Sequence, residues 1–384
     1  MNLLNLKPFY LKILVAPDSF KESLTASEVA CAIALGIEKC LPYAQCVSLP
    51  FSDGGEGAFE VLGALNLGKC ISVATQDPLG RALTAPYFEF TDSKTVWIEL
   101  SQASGLALLK IEDQNPLNTS TYGTGMQIRH ALERGKDHII LGIGGSATHD
   151  VATGIFSALG GKLLDQNGNT LKASGAALEH CTALNWEDLM PQLQNSHFTI
   201  ACDVHNKLTG TKGAAAIYAA QKGATPEIID RLEQATIRFG KILEKETGQK
   251  ILDCDGGGAA GGTAAGLLAF AQAELKNGFD ILSELTALED QIKQVDLIIT
   301  GEGRTDDQSK FGKVPFKIAA LAQKHKKSVL LYSGGVTASP RVLKEGGFTE
   351  AFAIKTEAMS LDYAKENASK LLTDKVVHTL KDFI

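Results

Sequence analysis

Four segments of this chain, three of them glycine-bearing, bring carboxylates, hydroxyls and cations within a few residues of one another. The first, A-P-D-S-F-K-E-S at 16–23, carries Asp18, Ser19 and Lys21. A carboxylate, a hydroxyl and an ammonium ahead of a helix start suit a small anion or a metal-bound phosphate, although the same residues also serve as helix caps. The second, S-D-G-G-E-G at 52–57, places Gly54 and Gly55 beside Asp53, where backbone N–H groups can approach a ligand unobstructed. A tight turn capped by Asp53 is the plainer reading. The third, G-I-G-G-S-A-T-H-D at 142–150, offers Gly144, Gly145 and Ser146 as a phosphate cradle. Read as G-x-G-x-x-A, with Asp165 about 20 residues further on, it also matches a dinucleotide fingerprint. The fourth, T-G-E-G-R-T-D-D-Q at 300–308, sets Gly301, Gly303 and Arg304 among Glu302, Asp306 and Asp307, with Gly312-Lys313 following. Buried charges need partners, so this density favours a site over mere structure. A fifth cluster, D-G-G-G-A-A-G-G at 255–262, contains Gly257 and Gly258 and reads as a phosphate loop, a hinge or close helix packing.

The elements that must position these loops follow an α/β grammar: short β-branched runs, then a glycine or aspartate loop, then an amphipathic stretch. Strands are expected at 12–16, 46–49 and 71–74, with a helix from a Thr25/Glu28 capping box to about Cys40 and another from about Glu56. Towards the C-terminus, strands are expected at 296–300, 328–332 and 351–354, with helices at 314–324, 340–345 and from Leu361 onward. The middle breaks this pattern. Asp77–Gly80 reads as a turn and the runs 83–90 and 95–100 as a hairpin, with further strands at 138–143 and 198–202 and a long helix at 225–245. The expected division is therefore 1–78 with 295–384 as one discontinuous domain and 79–294 as an insert.

Composition bounds the function. Apolar residues make up 44% of the 384 and charged residues 21%, which is globular and not disordered. The net charge of −7 with no basic run argues against nucleic acid and anionic membranes as partners. The longest apolar stretch, 264–273, is too short to span a bilayer, and the N-terminal segment reads as a strand of a cytoplasmic protein. Seven cysteines without a C-x-x-C pair read as reduced, mostly buried thiols. No G-x-x-x-x-G-K-[ST], H-E-x-x-H or G-x-S-x-G occurs, which removes the Walker-type, zincin and serine-hydrolase readings.

In order, A-P-D-S-F-K-E-S, S-D-G-G-E-G, N-P-L-N-T-S-T-Y-G-T-G, G-I-G-G-S-A-T, A-C-D-V, G-A-A-G-G and G-E-G-R-T-D-D-Q with G-K-V-P make the chain similar, from Lys12 to its last helix, to the two-domain bacterial glycerate kinases. That resemblance implies ATP-dependent phosphorylation of D-glycerate with Mg²⁺, usually to 2-phosphoglycerate, in organic-acid catabolism. It also implies a flavodoxin-like parallel-sheet domain from both chain ends and an inserted mixed α/β domain resembling the restriction-endonuclease fold, with the active site in the cleft between them. On this reading Asp203, Arg304 and Asp306 are catalytic, and Ser19, Lys21, Asp53, Gly54 and Gly55 bind substrate. Gly144, Gly145, Ser146, Gly257, Gly258, Gly301, Gly303 and Lys313 bind the nucleotide, and Asp53 and Asp203 hold Mg²⁺. Self-association is left open. The chain departs from the family pattern at 146–154, where S-A-T-H-D-V-A-T-G stands for S-A-T-N-D-G-G-A-G, and at 332–335, where Y-S-G-G stands near a common A-G-S. Two other functions compete: an NAD-dependent dehydrogenase using the G-x-G-x-x-A loop, and a non-catalytic metabolite-binding protein.

Overall fold

The computed structural model describes residues 11–54, 58–91 and 93–383. The expected strand before Lys12, the helix start at Glu56 and Gly55 lie outside the described residues. The chain forms two compact units, one from residues up to Asp53 together with Phe279 onward, the other from Gly54 to Gly278.

In the first unit β1 (Lys12–Val15) and β2 (Gln45–Ser48) are joined by the helix Ala26–Cys40. Thr25 and Glu28 close the expected capping box at the start of that helix: Thr25 Oγ1 accepts the Glu28 N–H and the Glu28 carboxylate accepts the Thr25 N–H. The chain then crosses into the second unit. There β3 (Gly68–Gln76), β4 (Ala82–Phe90) and β5 (Thr95–Glu99) form an antiparallel meander, and β6 (His138–Gly142) joins β5 in parallel. A separate antiparallel sheet holds β7 (Lys162–Leu164), β8 (Thr170–Leu171) and β9 (Ala183–Asn185). Next, β10 (His197–Ala201) and β11 (Glu274–Lys276) complete a six-stranded sheet of order β11-β10-β6-β5-β4-β3. Back in the first unit, β12 (Leu297–Thr305), β13 (Ser328–Val336) and β14 (Glu350–Ala353) give an all-parallel sheet of order β14-β13-β12-β1-β2.

Two expectations are corrected here. The boundaries fall at 53/54 and 278/279, not near 78 and 294. The strand expected at 71–74 is the middle of β3, whose nine residues pair antiparallel with β4, so it belongs to the second unit. Its β-branched run was readable, but its partner was not. The cysteines also differ from expectation. All seven are free, yet Cys31 and Cys70 are exposed and only Cys181 is buried.

The first sheet reads as near-continuous apolar runs because a parallel sheet is covered on both faces. Ile13, Leu14, Val15, Leu297, Ile298 and Ile299 are completely buried. The helices Ala26–Cys40 and Ala368–Phe383 pack so closely that a Cβ on Gly36 would come within 2.7 Å of Val376. Thr373 Oγ1 donates to the Ala32 carbonyl at 2.9 Å across the same contact. In order of appearance within its unit this sheet runs 2-1-3-4-5, and its strand order reverses between β1 and β12. Open α/β sheets bind ligands outside the carboxyl ends of the strands flanking such a reversal.

Candidate functional site

At that reversal point the loops after β1 and β12 are tied together. The Asp18 N–H donates to the Gly301 carbonyl at 2.8 Å, and the loop after β2 joins them through the Phe51 N–H and the Pro17 carbonyl, also at 2.8 Å. A Cβ on Gly301 would meet the Tyr332 carbonyl at 2.4 Å, and one on Gly303 would lie 3.3 Å from the backbone of Phe20 and Lys21. Ser19, Lys21, Asp53, Gly301, Gly303, Arg304, Asp306 and Lys313 therefore all belong to the first unit, at or just beyond the strand tips. Burial, and then the neighbouring Asp53 and Glu302, push the Asp18 carboxyl up to about 7, against the pull of the Ser19 N–H and Lys21. This is a local surplus of negative charge.

Glu302 is the residue that sequence reasoning left off its site. Only 3% exposed, it accepts from Lys313 Nζ at 2.9 Å and from Thr305 Oγ1 at 2.8 Å, and Thr305 Oγ1 in turn lies 2.7 Å from Ser333 Oγ. Burial raises its carboxyl and the Lys313 ammonium opposes that rise. Arg304 is different: its side chain is 71% exposed, with its nearest carboxylate, Asp306, at 3.6 Å. Asp306 is partly spent on structure, since its Oδ1 accepts the Gln308 N–H at 3.0 Å and the Ser309 hydroxyl at 3.4 Å. Position 302 carried a signal, a carboxylate two residues from an arginine, but not its burial.

In the second unit β6 lies between β5 and β10, with Gly142 level with Glu99 and Ala201. The loop 143–148 and Asp203 thus leave adjacent strand tips. Gly145 has φ +67°, and no backbone carbonyl among the described residues receives the N–H of Gly144, Gly145 or Ser146. Consecutive free N–H groups of this kind form an anion-binding concavity. Asp203 is exposed, and its Oδ1 accepts the Gly278 N–H at 3.1 Å.

The dinucleotide reading of this loop is overturned by its surroundings. The strand after it, β7, belongs to a separate antiparallel sheet, so the loop does not lead through a helix to a strand paired in parallel with β6 and carrying Asp165 at its end. Asp165 turns the β7–β8 hairpin, accepting the Asn167 and Asn169 N–H groups at 2.8 and 2.9 Å. The fifth glycine cluster is shaped by packing. A Cβ at Gly258 would lie 2.2 Å from the Lys207 carbonyl, and one at Gly261 would lie 2.1 Å from the Thr148 carbonyl. Gly257 is less constrained, its nearest atom being the Cys254 carbonyl at 3.1 Å. Gly54 is buried with φ +87°, its Cβ direction blocked by Gly278.

The altered segment after the loop is wholly buried. His149 Nε2 pairs with Thr236 Oγ1 at 3.0 Å, and Asp150 Oδ2 accepts the Thr121 N–H, Thr121 Oγ1 and the Gly154 N–H at 2.8, 2.9 and 3.1 Å. Burial drives the His149 imidazole down to about 3, with Lys222 adding to the effect. Val151 and Ala152 hold φ of 51° and 58°, left-handed values that suit glycine. His205, the other histidine beside these loops, is exposed.

No helix among the described residues is long and apolar enough to cross a membrane. Residues 13–383 match the model of the glycerate kinase family. The chain is 40% identical over 362 residues to a glycerate kinase of Bacillus subtilis, covering 94% of this chain and 95% of that one. It is 42% identical over 358 residues to a glycerate 2-kinase of Escherichia coli, covering 93% and 94%. A crystal structure from Salmonella typhimurium LT2, described as a candidate glycerate kinase 2, superposes with a TM-score of 0.87 at 40% identity, covering 97% of this chain and 99% of that one.

Proposed function

The chain belongs to the glycerate kinase family, and from that premise we infer that it transfers the γ-phosphoryl group of ATP to a hydroxyl of D-glycerate, giving 2-phosphoglycerate. The observation that carries this reading is the family match across 13–383, in a chain whose strand tips present anion-binding groups. The first unit's 2-1-3-4-5 order supports a flavodoxin-like domain, and we read the mixed second unit as the insert resembling the restriction-endonuclease fold.

Phosphoryl transfer asks the protein for positioning and charge neutralisation more than for covalent chemistry. Like charges about 4 Å apart cost roughly 4 kcal/mol at an effective dielectric near 20. A charge-assisted hydrogen bond contributes about 1.5–3 kcal/mol against that. We assign the Gly144–Ser146 N–H groups and Lys313 to the nucleotide phosphates. Ser19, Lys21 and Gly54 contribute to glycerate, and Arg304 takes the glycerate carboxylate or the transferring phosphoryl group. Gly301 and Gly303 let the β12 loop approach the nucleotide.

The acidic residues fit a divalent cation that arrives with the nucleotide. Among the described residues no three His, Cys, Asp or Glu side chains form a cage of their own, and Mg²⁺ is ordinarily bound by one or two carboxylates plus phosphate oxygens. The raised Asp18 carboxyl marks a surplus of negative charge that a cation would relieve. Asp53 and Asp203 are the residues we assign to Mg²⁺, which when bound would offset charge on the phosphates. Of the carboxylates proposed to accept the alcohol proton, Asp306 has Oδ1 engaged and Oδ2 facing Arg304, which suits orienting that arginine, and Asp203 has Oδ1 engaged by the Gly278 N–H.

ADP release coupled to D-glycerate and MgATP, with the product identified by ³¹P NMR, tests this reading. Glycerate-dependent ADP release with a 2-phosphate resonance is expected. Release without glycerate dependence, or none, would sink the kinase assignment, and a 3-phosphate resonance would sink the regiochemistry alone.

A further inference from the structure

Lys222 ends the short 3₁₀ turn Ala220–Lys222 and is 2% exposed, yet its hydrogen-bond partners among the described residues include no carboxylate. Its ammonium donates instead to the Thr148 carbonyl at 2.6 Å and to Ser146 Oγ at 3.3 Å. Ser146 Oγ lies 3.0 Å from Thr148 Oγ1 and accepts the Thr148 N–H at 3.1 Å, so the lysine closes a polar knot on the inner side of the loop 144–148. Gly144 is half-buried and Gly145 exposed, and no backbone carbonyl among the described residues receives their N–H groups.

Nothing in the sequence around Lys222 marks it, since Q-K-G is an ordinary helix end. Its placement is nevertheless costly. Burying an ammonium with no carboxylate bonded to it is unfavourable, and its two hydrogen bonds offset only part of that cost. What the ammonium accounts for is loop conformation. With the Thr148 carbonyl and the Ser146 hydroxyl both bonded to one cation, the end of the 144–148 loop is held in one conformation.

We propose that Lys222 is a positioning residue for nucleotide binding, fixing the Gly144–Ser146 loop from beneath so that its N–H groups stay aimed at the ATP phosphates. This inference rests on the assignment of that loop to the nucleotide. The ammonium does not touch the phosphates, and its effect passes through Ser146 and Thr148. Asp150 faces it from the loop's own continuation and favours its charged form, while burial pulls its pKa down to about 7.

Lys222→Met keeps the volume and removes the donors. The expected result is a KM for MgATP raised at least tenfold with a KM for D-glycerate within twofold, whatever the change in melting temperature, because the buried Thr148 carbonyl loses its short hydrogen bond. A purely structural lysine would lower the melting temperature with both KM values unchanged, and that result would overturn the proposal. Should Lys222→Met fail to accumulate as folded protein, Ser146→Ala, which removes only the side-chain acceptor, carries the test through titration with ADP. Weaker ADP binding supports the proposal, and unchanged binding overturns it. Gly145→Val separates the two levels of the argument. If it raises the KM for MgATP while Lys222→Met does not, the lysine inference alone falls; if neither does, the assignment of the loop to the nucleotide falls with it.

Discussion

Lys313 Nζ sits 2.9 Å from the buried carboxylate of Glu302 and 2.8 Å from the Arg304 carbonyl, so one ammonium ties down the end of β12 that carries the exposed arginine. Glu302 cannot swing to water, and Lys313, which is exposed, is held by it at the mouth of the helix Val314–Lys324. The pair therefore orders a cation that stays available to a ligand.

Glu302→Gln keeps the shape and the Thr305 bond but removes the charge that holds Lys313. A charge-assisted bond contributes about 1.5–3 kcal/mol, so kcat/KM for MgATP is expected to fall roughly ten- to a hundredfold. Steady-state kinetics check this, and a fall of less than twofold would detach the pair from nucleotide binding.

Arg304→Ala is expected to leave stability nearly untouched, because exposed pairs are worth about 0–1 kcal/mol. If Arg304 grips a reacting anion, kcat/KM should nevertheless drop by at least about a hundredfold, the scale of losing one well-placed donor at a reacting charge. Urea denaturation alongside kinetics separates the two effects. Asp306→Asn should produce a milder loss, since the amide still accepts from Gln308 and Ser309.

The left-handed pair Val151–Ala152 makes opposite predictions for neighbouring residues. At Ala152 a glycine loses one methyl and relieves a left-handed backbone that costs roughly 1–2 kcal/mol, so Ala152→Gly should stabilise the protein by about 0.5–1 kcal/mol. At Val151 the same relief is outweighed, because a fully buried valine is worth about 1.5–3 kcal/mol before any cavity is counted. Val151→Gly should therefore destabilise. Denaturant midpoints of the two variants decide the matter.

His149 gives a pH prediction with a definite sign. Its pKa is depressed to about 3 when folded, against about 6.5 when unfolded, so between these values the unfolded chain binds the proton that the folded chain refuses. Its contribution to stability is present above pH 6.5 and is lost as pH falls towards 3, by up to roughly 1.4 kcal/mol per pH unit. Asp18, raised to about 7, runs the other way: between pH 7 and 4 the folded state holds the extra proton and gains stability on acidification. The difference between His149→Asn and the unaltered protein isolates the histidine, and should shift in favour of the variant as pH drops below 6.5. A pH-independent difference would show that the imidazole titrates normally.

Much of the first unit was legible before any coordinates. The helix Ala26–Cys40, the apolar parallel strands and the charged loop after β12 are written in local patterns, because capping boxes and doubly covered strands leave marks within a few residues. The boundary near 78 was misjudged because β3 looks like any β-branched run, and only pairing with β4 assigns it to the second sheet. The dinucleotide match at 142–147 failed for the same reason, since a fingerprint needs the next strand in sequence to pair in parallel with β6, and β7 turns away into its own hairpin sheet.

The amino-acid sequence by itself determined the α/β class, the glycine loops and the kinship with glycerate kinases, since residue types and their order carry those directly. Tertiary structure alone decided that Glu302 is buried against Lys313, that Lys222 lies beneath the loop of Ser146, and that Val151 and Ala152 take a glycine's backbone. Burial and long-range contact set the cost of a charge and the shape of a loop. Both depend on segments far away in the chain, which no local pattern records.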